Sequence, residues 1–86
     1  MRKIYVLEYG TSDGYTIINW LEYKAFARLH RAKRFIKNKY PDCLEREGKL
    51  IFEDKEIVAN FELNPTNREY GDDSEWVDII ELEVEE

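Results

Sequence analysis

The segment from Lys24 to Lys39 constrains the fold most, because it reads as an amphipathic helix with a narrow apolar stripe. It carries seven cations and no carboxylate. At 3.6 residues per turn, its apolar side chains line up on one side, and the rest of the chain has to supply a surface that covers them. The predicted stripe consists of Ala25, Leu29, Ala32 and Ile36, with Leu21 continuing it, and the opposite side consists of Arg31, Arg34, Lys37 and Asn38.

The sequence indicates the C-terminal end of this helix clearly, but it gives two competing signals for the N-terminal end. Pro41 ends it and pushes Tyr40 towards an extended conformation, and Lys37 and Lys39 suit the negative end of the helix dipole. At the start, a capping box from Asn19 to Glu22 would begin the helix near Trp20, whereas the cations are better placed if it begins later. The pattern predicts a helix over 24–39.

Strand patterns fill most of the remaining chain. Residues 4–9 and 15–21 are rich in β-branched and aromatic side chains and flank a turn in which Gly10 and Gly14 are expected to take positive φ. The alternation of apolar and polar residues over 56–63 predicts a half-buried strand. Further strands are expected at 49–53 and 76–84, with polar connections over 42–48 and 64–73.

These elements predict an α+β fold in the order ββαβββ, a single domain over residues 1–86 with one helix on one face of a small antiparallel sheet. The first strand, apolar on both faces, is expected at the centre of the sheet. The last strand, with its row of glutamates, is expected at an edge. Its alternation slips at Ile79 and Ile80, which predicts a β-bulge there.

The compartment follows from cysteine usage and hydropathy. Cys43 is the only cysteine, so no internal disulfide can form, and a reducing compartment such as the cytoplasm is expected. The longest apolar run, residues 4–7, is far shorter than a membrane span, and no membrane partner is expected.

The net charge of −6 conceals an uneven distribution. Residues 1–50 carry eleven cations and six anions, a balance of +5, whereas residues 51–86 carry two cations and thirteen anions, a balance of −11. The acidic end can be a solvated surface that keeps the protein soluble, or it can dock a basic partner. The two charged runs can also neutralise each other within the fold or between two copies, giving a homodimer.

Several chemistries find little support in the residue types. Zinc-like sites need several Cys or His ligands, and His30 and Cys43 are each alone of their kind. The spacing of Asp72, Asp73 and Glu75 does not match a calcium loop. Nucleophilic catalysis by Cys43 with His30 would need the two side by side with an orienting third residue, whereas thirteen residues separate them across the helix end and His30 lies on the polar face. Neither phosphate-binding glycine motif is present. We therefore expect no enzyme activity, no metal and no cofactor.

The first half of the chain resembles short bacteriophage-encoded proteins of unknown function. These begin with a β-hairpin followed by a helix of the pattern A-x-x-[FY]-[IL], which Ala32-Lys33-Arg34-Phe35-Ile36 reproduces after the run Lys3-Ile4-Tyr5-Val6-Leu7. The resemblance covers about residues 3–37. It departs at Ala27-Arg28-Leu29-His30, where those proteins usually have Ser-Ser-Lys-Glu-like residues. The resemblance implies a phage or prophage origin and a host-cell cytoplasmic location.

The leading functional hypothesis is a non-enzymatic interaction protein that binds and inhibits a host protein with a basic surface. An anti-defence role is a special case, in which the acidic face acts as an anti-CRISPR-like nucleic-acid mimic. The predicted contacts are the carboxylates of the acidic end with two aromatic anchors. They are Tyr70, Asp72, Asp73, Glu75, Trp76, Asp78, Glu81, Glu83 and Glu85.

The alternative hypothesis is nucleic-acid binding by the basic helix. Its cations could contact phosphates, although the net charge of the whole chain repels a polyanion. The contacts in that case are Arg28, Arg31, Arg34 and Lys37.

Overall fold

Two long antiparallel strands, β1 (Arg2–Ser12) and β6 (Ser74–Val84), form the middle of the sheet in this computed structural model. The structure describes residues 2–46, 50–52, 55–65 and 74–85. The remaining elements follow along the chain. They are β2 (Ile17–Leu21), α1 (Leu29–Lys39), β3 (Leu44–Arg46), β4 (Leu50–Phe52) and β5 (Lys55–Glu62).

All described strand pairs are antiparallel, and the sheet has the order β2-β1-β6-β5-β3. The short strand β4 also pairs with β5, so β3 and β4 share the outer side of that strand. The predicted α+β class, with one helix on an antiparallel sheet, is confirmed. The observed order of elements has one strand more than the predicted order ββαβββ. The additional strand is β3, which lies within the segment 42–48 that the sequence predicts as a polar connection.

The helix covers one face of the sheet. Ala32 and Ile36 are fully buried, and Leu29 is half-buried, which confirms the central part of the predicted stripe. The side chains of α1 meet inward-facing residues from the three longest strands and from the chain segments beside them. The buried cluster beneath the helix consists of Leu7, Tyr9, Phe26, Ala59, Phe61, Leu63, Val77 and Ile79.

The helix begins at Leu29, later than the predicted Lys24. Phe26 instead lies beside β1, where its N–H donates to the Tyr5 oxygen at 2.9 Å and its own oxygen accepts from the Tyr5 N–H at 2.8 Å. Burial of the Phe26 ring stabilises this extended course, and a longer helix would bring more cations to the positive end of the dipole. The capping-box hypothesis is wrong, because Asn19 lies in β2.

Two outer members of the predicted stripe consequently lie elsewhere. Ala25 is exposed in the segment before the helix, and Leu21 is 58% exposed at the end of β2. The stripe is therefore shorter than the periodicity suggests, since α1 contributes only the part that follows Arg28.

The hairpin turn is also shorter than predicted. β1 continues to Ser12, and the chain reverses between Asp13 and Thr16, where the Asp13 carboxylate accepts the N–H of Thr16 at 2.8 Å. Gly14 has a φ of 91°, as expected. Gly10 lies within β1 instead of the turn. The indole of Trp76 on β6 occupies the space that a Cβ at this position would need, so the absence of a side chain is a packing requirement.

The last strand is central, which corrects the prediction that it lies at an edge. β6 pairs with β1 along its whole length and with β5 on its other side. The register irregularity lies on β5, between Ile57 and Ala59, opposite Ile80 and Ile79. The apparent slip in the sequence arises because Ile79 faces the helix while Ile80 is buried on the other face of the sheet.

Candidate protein-interaction surface

The carboxylates predicted to bind a partner lie on both faces of β6. Glu81 and Glu83 project on the same face as the helix, whereas Asp78 and Trp76 project on the opposite face, because neighbouring strand residues alternate. The predicted set thus forms no single row. Tyr70, Asp72 and Asp73 lie outside the described residues.

Three predicted contact residues have partners within the fold. The Asp78 carboxylate accepts a hydrogen bond from the Asn60 amide, and burial raises the pKa of Asp78. The Glu75 carboxylate accepts from the Asn64 amide at 2.7 Å. Trp76 is half-buried over Gly10. Asp78 and Trp76 are half-buried, so a partner could reach them only in part, whereas Glu75 is exposed in spite of its hydrogen bond.

Glu81, another predicted partner contact, makes an ion pair within the fold. Its carboxylate lies 2.7 Å from the Lys3 ammonium, and its side chain is 12% exposed. The hydrogen bond to Glu81 raises the pKa of Lys3. Lys3 also stands opposite Glu83 in the register of β1 and β6, and its neighbour Arg2 stands opposite Val84, so this end of the sheet contains two cations beside its carboxylates.

Glu83 and Glu85 remain exposed at the end of the chain. Within the described residues, no ion pair within 4.0 Å joins either side chain to a cation. Among the described residues of the predicted set, they are the two exposed carboxylates without a described hydrogen bond or ion pair.

The lysines of the helix form ion pairs with carboxylates from the first half of the chain. Lys33 lies 2.8 Å and Lys37 3.8 Å from Glu45 on β3, and Lys39 lies 3.4 Å from Glu22. The described ion pairs therefore do not connect α1 to the acidic end of β6. The positive and negative parts of the sequence do not neutralise each other through these contacts.

The three arginines of the helical segment are exposed. Arg28, Arg31 and Arg34 are spaced three residues apart, and no described carboxylate lies within ion-pair distance of them. Beside them is an open depression of about 250 Å³. It is lined by Lys24, Phe26, Arg31, Arg34, Phe35 and Asn38.

Sequence reasoning identified β2 as a strand but did not identify it as an exposed edge of the sheet. All five of its residues are exposed, and none of them is ionisable. Tyr15 and Tyr23, on either side of it, are fully accessible to solvent. The signal available in the sequence was this uncharged apolar run bounded by two tyrosines.

The residues considered for nucleophilic chemistry occupy ordinary positions. His30 is exposed on α1, and Cys43 is half-buried against the core, where burial raises the pKa of its thiol. A raised pKa lowers the fraction of reactive thiolate. Among the described residues, no group of three His, Cys, Asp or Glu side chains is placed to hold a metal ion.

Comparison with known proteins adds no relative to this description. No family model, curated protein or solved structure matches the chain. The part of the chain that the structure describes contains no helix with the length and hydropathy of a membrane span.

Proposed function

We propose that this protein is a non-enzymatic protein-interaction domain whose partner presents a basic surface. The observation that supports the proposal is the pairing of the helix cations with Glu22 and Glu45, which leaves Glu83 and Glu85 exposed. Carboxylates that are not neutralised within the fold can attract and orient a cationic partner.

The resemblance of residues 3–37 to bacteriophage-encoded proteins suggests the kind of partner. We propose a host protein that is inhibited when the acidic end of this domain covers its basic surface. A nucleic-acid-guided nuclease fits the charge, because its nucleic-acid channel is basic and the exposed carboxylates of Glu83 and Glu85 can occupy it in place of phosphates.

The test is capture of a partner from host lysate by the wild type and by a variant carrying Glu83→Lys and Glu85→Lys. Both positions are exposed and make no described ion pair, but Glu83→Lys places a lysine opposite Lys3 in the strand register, so the thermal unfolding of the variant is compared with that of the wild type. We expect the captured partner to be lost. A matched control carries Asp42→Lys, Ala27→Lys and Asn38→Lys, which change the net charge equally at exposed positions that make no described ion pair, and it should retain the partner.

Equal recovery of the same partner by wild type and by the Glu83/Glu85 variant would reject this site. Loss of the partner in both variants would show that net charge, and not position, governs capture, which would also contradict the proposal.

A second candidate function is nucleic-acid binding by α1. The observation that favours it is the exposure of Arg28, Arg31 and Arg34 next to a depression lined by aromatic and cationic side chains. In this case the phosphates would contact the arginines, and affinity would fall steeply with salt.

A gel-shift titration at low salt tests this candidate directly. We expect the wild type to retard single-stranded or duplex nucleic acid, and Arg31→Glu with Arg34→Glu to abolish the shift. No retardation of either nucleic acid by the wild type at low salt would remove the candidate.

A further inference from the structure

The outer edge of β2 exposes more apolar surface than a small water-soluble domain usually leaves open. Ile17, Ile18, Trp20 and Leu21 are between 48% and 64% exposed, although they belong to a paired strand. Sheet edges are normally protected by charges, and β3 at the opposite edge carries Glu45 and Arg46. β2 has no such protection.

Within the described residues, the backbone groups of β2 on this edge have no hydrogen-bond partner. The Glu22 N–H donates to Leu7 at 3.0 Å and the Asp13 N–H donates to Thr16 at 3.3 Å, which fixes the alternation of the β1–β2 ladder. In this ladder the even-numbered residues of the segment, such as Thr16 and Glu22, point their backbone N–H and C=O groups at β1. By the same alternation, Ile17, Asn19 and Leu21 point theirs away from the sheet.

The sequence around Asn19 is self-complementary when it is read against an antiparallel copy of itself. Asn19 then faces Asn19, Ile17 faces Leu21, and Ile18 faces Trp20. Beyond the strand, Tyr15 faces Tyr23 and Thr16 faces Glu22. Every exposed apolar side chain of the segment 15–23 thus gains an apolar cross-strand neighbour, and no carboxylate meets another.

We propose that β2 pairs with β2 of a second copy of this chain, with the two-fold axis at Asn19, to form a continuous sheet across a symmetric dimer. The three outward-pointing residues of each copy supply about six backbone hydrogen bonds. The second copy is favoured as the occupant because the uncharged strand lets two chains of net charge −6 approach without facing like charges.

The expected affinity follows from the size of the contact. A two-stranded junction of this length lies at the small end of specific interfaces, so we expect a dissociation constant of about 10 to 100 µM. The surface is separate from Glu83 and Glu85, so this proposal does not depend on the proposed function.

Sedimentation velocity over about 5 to 500 µM tests the dimer, because this range brackets the expected constant. We expect the wild type to shift from monomer to dimer with concentration. Ile17→Lys with Leu21→Lys places like charges opposite each other across the two-fold axis and should remain monomeric. Ile17→Glu with Leu21→Lys removes the same apolar side chains and keeps a lysine opposite Glu8 of β1, but places opposite charges across the axis, and it should dimerise more tightly than the first variant.

A wild type that stays monomeric at the highest concentration would overturn the proposal, as would a double-lysine variant that dimerises as well as the wild type. A cysteine experiment tests the register without removing apolar contacts. In a Cys43→Ser background, Asn19→Cys should cross-link to its symmetric copy on mild oxidation, since facing residues of such a pair lie about 5.5 Å apart. Asn38→Cys, exposed on the helix, serves as the control, and equal cross-linking of the two variants would contradict the register.

Discussion

The hydroxyl of Tyr9 joins three elements of the fold. It donates to the Glu22 carboxylate at 2.9 Å, and the ammonium of Lys39 at the end of α1 lies 3.4 Å from the same carboxylate. The ring of Tyr9 stacks on Trp20 of β2, with 5.7 Å between ring centroids. Glu22 is thus held by β1 and by the helix, which fixes the chain as it leaves β2.

This cluster gives the stability a defined pH dependence. The hydrogen bond from Tyr9, with a smaller contribution from Lys39, lowers the pKa of Glu22 in the folded protein. A carboxyl whose pKa is lower in the folded state stabilises the fold above its unfolded-state pKa, and this contribution is lost as pH falls through the folded-state pKa.

We predict that Tyr9→Phe lowers the free energy of unfolding by about 1 to 2 kcal/mol at neutral pH. The difference from wild type should narrow as the pH is lowered from about 7 to about 3, because protonated Glu22 no longer accepts a charge-assisted bond. Urea unfolding at a series of pH values measures both quantities.

Tyr5→Phe is a matched control, since Tyr5 is half-buried beside the same core and makes no described side-chain hydrogen bond. A difference between Tyr9→Phe and wild type that does not vary with pH would contradict the role of Glu22.

At the scale of the elements, local sequence patterns predicted the type of secondary structure of each segment. They did not predict features that depend on contacts with residues far away in the sequence. The alternation at 57–63 and the stripe at 29–36 correspond to β5 and to the centre of α1, because burial on one face leaves a periodic trace. The position of β6 in the middle of the sheet produces no periodic pattern in the sequence, because this position depends on pairing with residues far along the chain.

The start of the helix shows the same limit. The apolar character of Phe26 fits a helical stripe as well as it fits a β-bridge, and its partner Tyr5 lies far away in the sequence. Of the candidate site, the charges of Glu83 and Glu85 could be predicted from the sequence, but the internal partners of Asp78 and Glu81 could not. Those partners are set by strand register.

The N-terminus of α1 offers a prediction at this scale. Arg28 occupies the N-cap with an extended backbone, φ −135° and ψ 139°, makes no side-chain capping bond, and is followed by no acidic residue in the first turn. We predict that Arg28→Asp raises the free energy of unfolding by about 1 kcal/mol, because a carboxylate there caps free N–H groups and complements the dipole.

Chemical denaturation measures the free energy of unfolding of Arg28→Asp and of Tyr23→Asp. The comparison distinguishes a helix that begins at Leu29 from one that begins at Lys24. Tyr23 would be the N-cap of a helix that begins at Lys24, and in the structure it lies outside the helix. Stabilisation by Tyr23→Asp equal to or larger than that by Arg28→Asp would contradict the observed start.

At the scale of the whole molecule, the charges are arranged so that the basic helix and the acidic end use different partners. The helix lysines pair with Glu22 and Glu45, and Lys3 pairs with Glu81. The fold thereby leaves arginines exposed on α1 and carboxylates exposed at the end of β6. The proposed docking of a basic partner requires this separation to hold in solution.

A double-mutant cycle in the free energy of unfolding tests the separation most directly. One arm is Arg31→Glu with Arg34→Glu, and the other is Glu83→Lys with Glu85→Lys. A control cycle with Lys33→Glu and Glu45→Lys, whose charged groups lie 2.8 Å apart, should give the coupling of about 0.2 to 1 kcal/mol that is typical of exposed pairs.

For the cycle that combines the arginine and glutamate substitutions, the structure predicts a coupling energy smaller than that of the control cycle and within about 0.3 kcal/mol of zero, the value for groups that do not touch. A coupling of about 1 kcal/mol or more, with the fourfold variant regaining the stability that each arm loses, would show that the helix neutralises the acidic end. That result would contradict the claim that these carboxylates are free to bind another protein.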